Sequence, residues 1–167
     1  MSRVARYHAD RTNQKLYFAR LACQQADSAQ ALQQAQGARE AAVFHLQGAV
    51  LAFLQELVRY YKLDDIRPSL NSIQEKMTAR GQVSPEIIIL QQHSQNGFLA
   101  HLNRAYLACQ YAPEPPAAMA EEEASSQLIL KVTQGAQSWL PDVVLLKEWQ
   151  RELTQLIENF RDEMVEF

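Results

Sequence analysis

VFHLQGAVLAFLQELVRYY, residues 43–61, decides the fold class, because its apolar residues recur with the period of a helix. At about 100° per residue, Val50, Leu54, Leu57 and Tyr61 point in the direction of Val43. Leu46, Ala49, Phe53 and Tyr60 flank them on one side, Leu51 and Val58 on the other. His45, Gln55, Glu56 and Arg59 fill the opposite arc. So wide an apolar face belongs to a helix packed among other helices, here predicted to run from about Ala38 to Tyr61.

Carried outward, the same reading predicts three more long helices. The first spans about Thr12 to Gln36, Ala- and Gln-rich, and is expected to close at Gly37. A short helix follows in SIQEKMTARG, where Ser72 and Glu75 have capping-box spacing and Gly81 supplies a stop. Ser84, Pro85 and Glu86 supply an N-cap, a first-turn proline and a dipole-favoured acid for the third, which continues to Tyr111. The fourth begins near Pro141, with Leu146, Trp149, Leu153, Leu156 and Phe160 at 3-4-3-4 spacing. Between them, residues 113–126 carry three prolines and the run Glu121-Glu122-Glu123, the composition of a mobile connection. QLILKV fits a short helix or an extended piece equally. The expected fold is all-α: an antiparallel four-helix bundle with a short extra helix between helices two and three, in a single domain over residues 1–167. LYFARLACQQA (16–26) and LNRAYLACQYA (102–112) align without gaps. The match reads either as coincidence in an Ala/Leu/Gln-rich chain or as a duplicated helical hairpin.

Composition agrees with a globular chain: 167 residues, 47% hydrophobic and 21% charged. Five glycines and six prolines are few for a β-rich fold. Cys23 and Cys109 lie within helical patterns and read as buried thiols of a reducing compartment. The opening MSRVARYHADR has no apolar core of a signal peptide, and runs such as AVLAFL fall short of the roughly 18 residues of a membrane span. A cytoplasmic location without membrane contact is expected.

Charge is uneven. The net value is −3, which argues against general nucleic-acid affinity. Residues 1–20 nevertheless hold Arg3, Arg6, Arg11, Lys15 and Arg20 against Asp10, interleaved with Tyr7, Tyr17 and Phe18. The end of the chain holds Glu158, Asp162, Glu163 and Glu166 against Arg161. In an up-down-up-down bundle these ends meet at one pole, so the basic start is expected to be answered by the acidic end.

Few residues suggest chemistry. No Glu-x-x-His pair, Cys-x-x-Cys, Gly-x-Ser-x-Gly or phosphate loop occurs, so no metal or cofactor is expected. Arg39 and His45 stand at a helix start, and their spacing resembles the Arg-x4-6-His motif of the HEPN superfamily of ribonucleases. That resemblance implies an Arg that stabilises phosphate charge and a His that acts on a 2′-hydroxyl, in a cleft between two subunits. The chain departs from the pattern. Glu40 stands where the family places a polar Asn, Asp or His, and the motif opens the second helix instead of lying late in the domain. The residue-level reading is an ordinary helix start. On the third helix, His93, Gly97, His101 and Arg104 fall on one stripe, a notch with polar walls suited to an anion or another helix's backbone, or simply a solvated face. Gln14, Gln25, Gln47, Gln91 and Gln95 fall on arcs read as core-facing and imply an interhelical amide network or a partly wet contact.

Two segments, MSRVARYHADRTNQKLYFARLACQQA and REAAVFHLQGAVLAFLQELVRYYKLDDIRPSL, are similar to a family of small all-α proteins from pseudomonads and related proteobacteria. The resemblance implies a bacterial cytoplasmic protein and transfers no functional residue. The expected function is a non-enzymatic interaction module that binds a protein partner or itself. The alternatives are an RNA-binding or RNA-cleaving role for Arg39 and His45, and a small anionic ligand at His93, His101 and Arg104.

Overall fold

The computed structural model describes residues 3–111 and 140–165. The connection expected at 113–126 and the QLILKV segment lie outside them. Among the described residues the chain is helical, with α1 (Arg3–Ser28), α2 (Leu32–Tyr60), α3 (Leu70–Ala79), α4 (Pro85–Asn96), α5 (Phe98–Gln110) and α6 (Val143–Val165).

The pairing of α1 with α2 is the most extensive in the molecule. The buried line of α1 is Thr12, Leu16, Ala19, Cys23 and Ala26, with Ala22 beside it. Small side chains there and at Ala42, Ala49 and Ala52 of α2 let the two helices approach closely. The turn between them comes at residues 29–31, not at Gly37, which lies inside α2 with open space where a Cβ would stand. An Ala/Gln run carries no stop of its own, so the end of the buried line at Ala26 sets the turn. A lone helical glycine does not.

Two other helices lean on α2. α6 buries Leu146, Trp149, Leu153, Ile157 and Phe160, and Phe160 stacks on Phe53 with ring centroids 5.8 Å apart. Ile157 takes the seam position that the spacing assigned to Leu156, which is only partly buried. Asp142 caps this helix by accepting the Leu145 amide at 2.8 Å. α5 packs on α2 and α4, with no comparably extensive pairing to α1 or α6. The two repeat-like segments therefore share burial at Leu16 and Leu102 and at Ala19 and Ala105, and both helices pack on α2.

The predicted third helix is broken. Gly97 has extended φ and ψ (−113°, −165°) and separates α4 from α5. A Cβ at Gly97 would stand 2.9 Å from the His93 Cα and 2.7 Å from its Nδ1, so a close approach to backbone, not left-handed φ, requires glycine. α3 also starts a turn early. Ser69 caps it, and Ser72, read as the cap, is the reciprocal partner of the capping box. Lys62, at φ 52°, closes α2: its amide reaches the Arg59 carbonyl while Leu63 N–H reaches Val58, which is the Schellman pattern.

Two buried carboxylates tie helix ends together. Glu56, assigned to the solvated arc by periodicity, is only 9% exposed. Arg161 answers it with two hydrogen bonds (2.8 and 3.1 Å) and also reaches Asn13 at 2.8 Å, joining α6, α2 and α1 at one pole. At the other end of α1, Lys147 pairs with Asp27, so α1 and α6 run antiparallel. Glu86 accepts from Tyr61 Oη at 2.5 Å and Ser84 Oγ at 2.6 Å, and burial together with this carboxylate pushes the Tyr61 phenol up to about 12.

The described ends of α1 and α6 meet at one pole, but among the described residues the expected charge pairing is not seen: Arg161 pairs there with Glu56, while Asp162 and Glu163 are exposed. Arg11 donates to Gln14, and Arg20 lies over the Tyr17 ring. No ion pair among the described residues includes Arg11, Lys15 or Arg20. The side chains of Arg3 and Arg6 lie outside those described.

Phe160→Ala removes the ring stacked on Phe53 and should cost about 3–5 kcal/mol of stability. Leu153→Ala should cost about 2–5 kcal/mol. Chemical denaturation followed by circular dichroism reads both, and unchanged midpoints would mean that α6 does not pack on α2 as described.

Candidate functional site

The outward stripe of α2 between α1 and α5 lies at the bottom of a groove of about 270 Å³. Gly48 and Ala52, one turn apart, form its floor. Phe44 and Leu51, at 50% and 49% exposure, stand above that floor on the same helix. The α1 wall is Arg11 and Lys15, and the α5 wall is Tyr106, whose ring lies 6.0 Å from that of Phe44. Gln47 and Gln55 supply the remaining polar edge.

The groove is positively biased. The Lys15 stem lies across Gly48, its Cδ and Cε 3.1 Å from where a Cβ would sit, and its Nζ stands 5.7 Å from the Phe44 ring centroid. Burial, and then the Arg11 charge one turn away, lower the Lys15 pKa. Behind it, the His45 ring packs 5.3 Å from Phe18, and its buried Nδ1 has no hydrogen-bond partner among the described residues. Burial first, then Lys15 and Arg11, lower the His45 pKa.

Arg39 turns elsewhere. Its Nη1 donates to the Pro141 carbonyl at 3.5 Å, at the entry to α6, and its buried Nε has no partner among the described residues. Glu40 accepts from Gln36. Arg39 and His45 thus face different neighbours, and the structure does not bring them together. The stripe on the predicted third helix is divided by the break at Gly97. The His93 ring folds back over Gly97 and meets Phe98 edge-on at 5.2 Å, filling the expected notch. His101 and Arg104 remain together, on the wall of a second concavity of about 510 Å³ opposite Pro141, Leu145 and Trp149.

Of the amides, Gln14, Gln25 and Gln95 are exposed, and Gln91 donates to Gln74 across α3 and α4. Both cysteines are free thiols. Burial raises the Cys23 pKa, while burial and then Glu40 push the Cys109 thiol up to about 11, so neither is poised as a nucleophile at neutral pH.

A family model matches residues 7–167, and its description reads family of unknown function (DUF6586). The chain belongs to this family. No curated protein and no solved structure matches it. The DUF6586 match spans α2, which by length and composition is apolar enough to cross a membrane. In the folded chain that helix packs against α1, α5 and α6.

Sequence reasoning missed the groove because its floor and two walls come from three helices. The basic and aromatic alternation in residues 1–20 pointed to Arg11 and Lys15. Nothing local announced that Phe44, seven residues before Leu51, would face them.

A His whose folded pKa lies below its ordinary 6.5 favours folding in its neutral form. His45 therefore leaves stability intact above pH 6.5 and subtracts from it as the pH falls, because the unfolded chain takes up the proton first. His45→Gln should flatten the loss of stability between neutral pH and about pH 5. Denaturation midpoints measured across that range decide it, and parallel curves for the two proteins would mean that His45 does not titrate differently on folding.

Proposed function

We propose that this protein is a non-enzymatic helical interaction module, in which α1, α2, the α4–α5 pair and α6 make up a bundle left open on the α1/α5 side. A partner protein's segment lies in the open groove over α2. The observation that carries the reading is the half exposure of Phe44 and Leu51 over a floor of Gly48 and Ala52, between walls from two other helices. Apolar side chains in a concave setting gain most when a partner removes them from water. The separate surroundings of Arg39 and His45 favour no RNA-cleaving site, and the raised thiol pKa values of Cys23 and Cys109 favour no cysteine chemistry. A cytoplasmic setting, which keeps both thiols reduced, accords with this reading.

A second reading has one observation in its favour. His101 and Arg104 share the wall of the larger concavity, where an anionic small molecule would meet a guanidinium, an imidazole and the Trp149 edge.

The photoreactive amino acid benzoylphenylalanine, placed at Phe44 or Leu51 in cells that naturally make the protein, tests the first reading. Illumination is expected to yield a discrete protein adduct from either position and none from Ile66, which is exposed on the loop after α2. Adducts absent from both groove positions, or equally strong from Ile66, would sink the proposal.

A further inference from the structure

Resting on that reading, we propose that the occupant of the groove is an amphipathic helix of a partner protein, acidic along one flank, with apolar side chains on Phe44 and Leu51 and carboxylates on Arg11 and Lys15. The shape and the charge point the same way. Gly48 and Ala52 keep the floor low over a full turn of α2, so a second backbone can come close there. Phe44 and Leu51, seven residues apart, present apolar contacts two turns apart, which is the repeat of a helix's apolar face.

The charge argument decides the flank. Arg11 and Lys15 are four residues apart on α1, so their side chains rise on one face about 6 Å apart. Carboxylates spaced one turn apart on a partner helix match that separation. No ion pair among the described residues includes either cation. Lys15 lies folded down over Gly48 beside Arg11, partly desolvated. A carboxylate above the groove would draw the ammonium off Gly48, relieve its repulsion from Arg11 and open the floor to the incoming helix.

Other occupants fit less well. Single-stranded nucleic acid needs several phosphate contacts and open aromatic faces. Among the described residues the groove offers two cations, and the rings of Phe44 and Tyr106 are tilted by 40° against each other. A second copy docked groove to groove would set Arg11 and Lys15 against their own copies, a like-charge contact.

The experiment uses the full chain and three fluorescein-labelled probes. One is an amphipathic peptide of about 18 residues, five turns, with leucines on one face and glutamates on one flank. The second replaces its glutamates by lysines, and the third is a short oligouridylate. By anisotropy the acidic peptide is expected to bind at least about tenfold tighter than its lysine counterpart, with the preference falling as salt rises. Arg11→Gln with Lys15→Gln should erase that preference while circular dichroism stays unchanged. Leu51→Asp should weaken the acidic peptide even where both cations remain. Equal affinity for the two peptides, no saturation by the acidic peptide up to about millimolar concentration, or tighter binding of the oligouridylate would overturn the inference. A dimer by light scattering that Arg11→Glu strengthens would also overturn it, assigning the groove to a second copy. If the benzoylphenylalanine adducts at Phe44 and Leu51 persist in any of these cases, the interaction module stands and only its acidic occupant is lost. If they are absent, the module itself falls.

Discussion

The flank of α2 from Ala42 to Val58 is buried against α1, α5 and α6 together, and the fold depends on that sharing. A helix that serves three neighbours must be apolar over most of its circumference. This explains why α2 has the composition of a membrane span although it lies at the centre of a packed chain. Burial on three sides also leaves one strip of the helix without a neighbour. The exposed Phe44 and Leu51 on that strip follow from geometry: α1 and α5 both pack on α2 without packing extensively on each other.

The polar contacts act as fixings for this arrangement. Each buried carboxylate sits where helix ends converge: Glu56 with Arg161 and Asn13, Glu86 with Tyr61 and Ser84. Removing one member of such a set strands the other in a dry site, which costs more than the intact pair contributes. The two sets therefore specify which helix ends meet, while the apolar contacts supply most of the stabilisation.

Much of the fold was legible because its signals are local. The α6 seam apart from Leu156, the Ser84-Pro85-Glu86 start and the stop at Gly81 all appear in the structure. The errors have a common physical origin: local sequence does not record what a residue will meet. Gly37 looks like a stop and is helical, whereas Gly97 looks like a tolerated glycine and stands at a helix break, where the His93 backbone leaves no room for a Cβ. Glu56 looks solvated on a helical wheel and is buried, because its partner Arg161 lies 105 positions away. The groove was illegible for the same reason. Its cations, floor and aromatic wall come from α1, α2 and α5, and no periodicity within one helix couples them.

The break at Gly97, and the packing of α5 mainly on α2 and α4 among the described residues, set α5 apart from the longer helices. α1, α2 and α6 are clamped at both poles, by Arg161 at one and Lys147 with the short 29–31 turn at the other. α5 has no such clamp to α1 or α6 among the described residues. With no such clamp, α5 and the Tyr106 wall it carries are held chiefly by the burial of Phe98, Leu99, Leu102 and Ala105. A molecule seated between Tyr106 and Lys15 would bridge two helices that pack little on each other among the described residues, and would act as a removable staple between them.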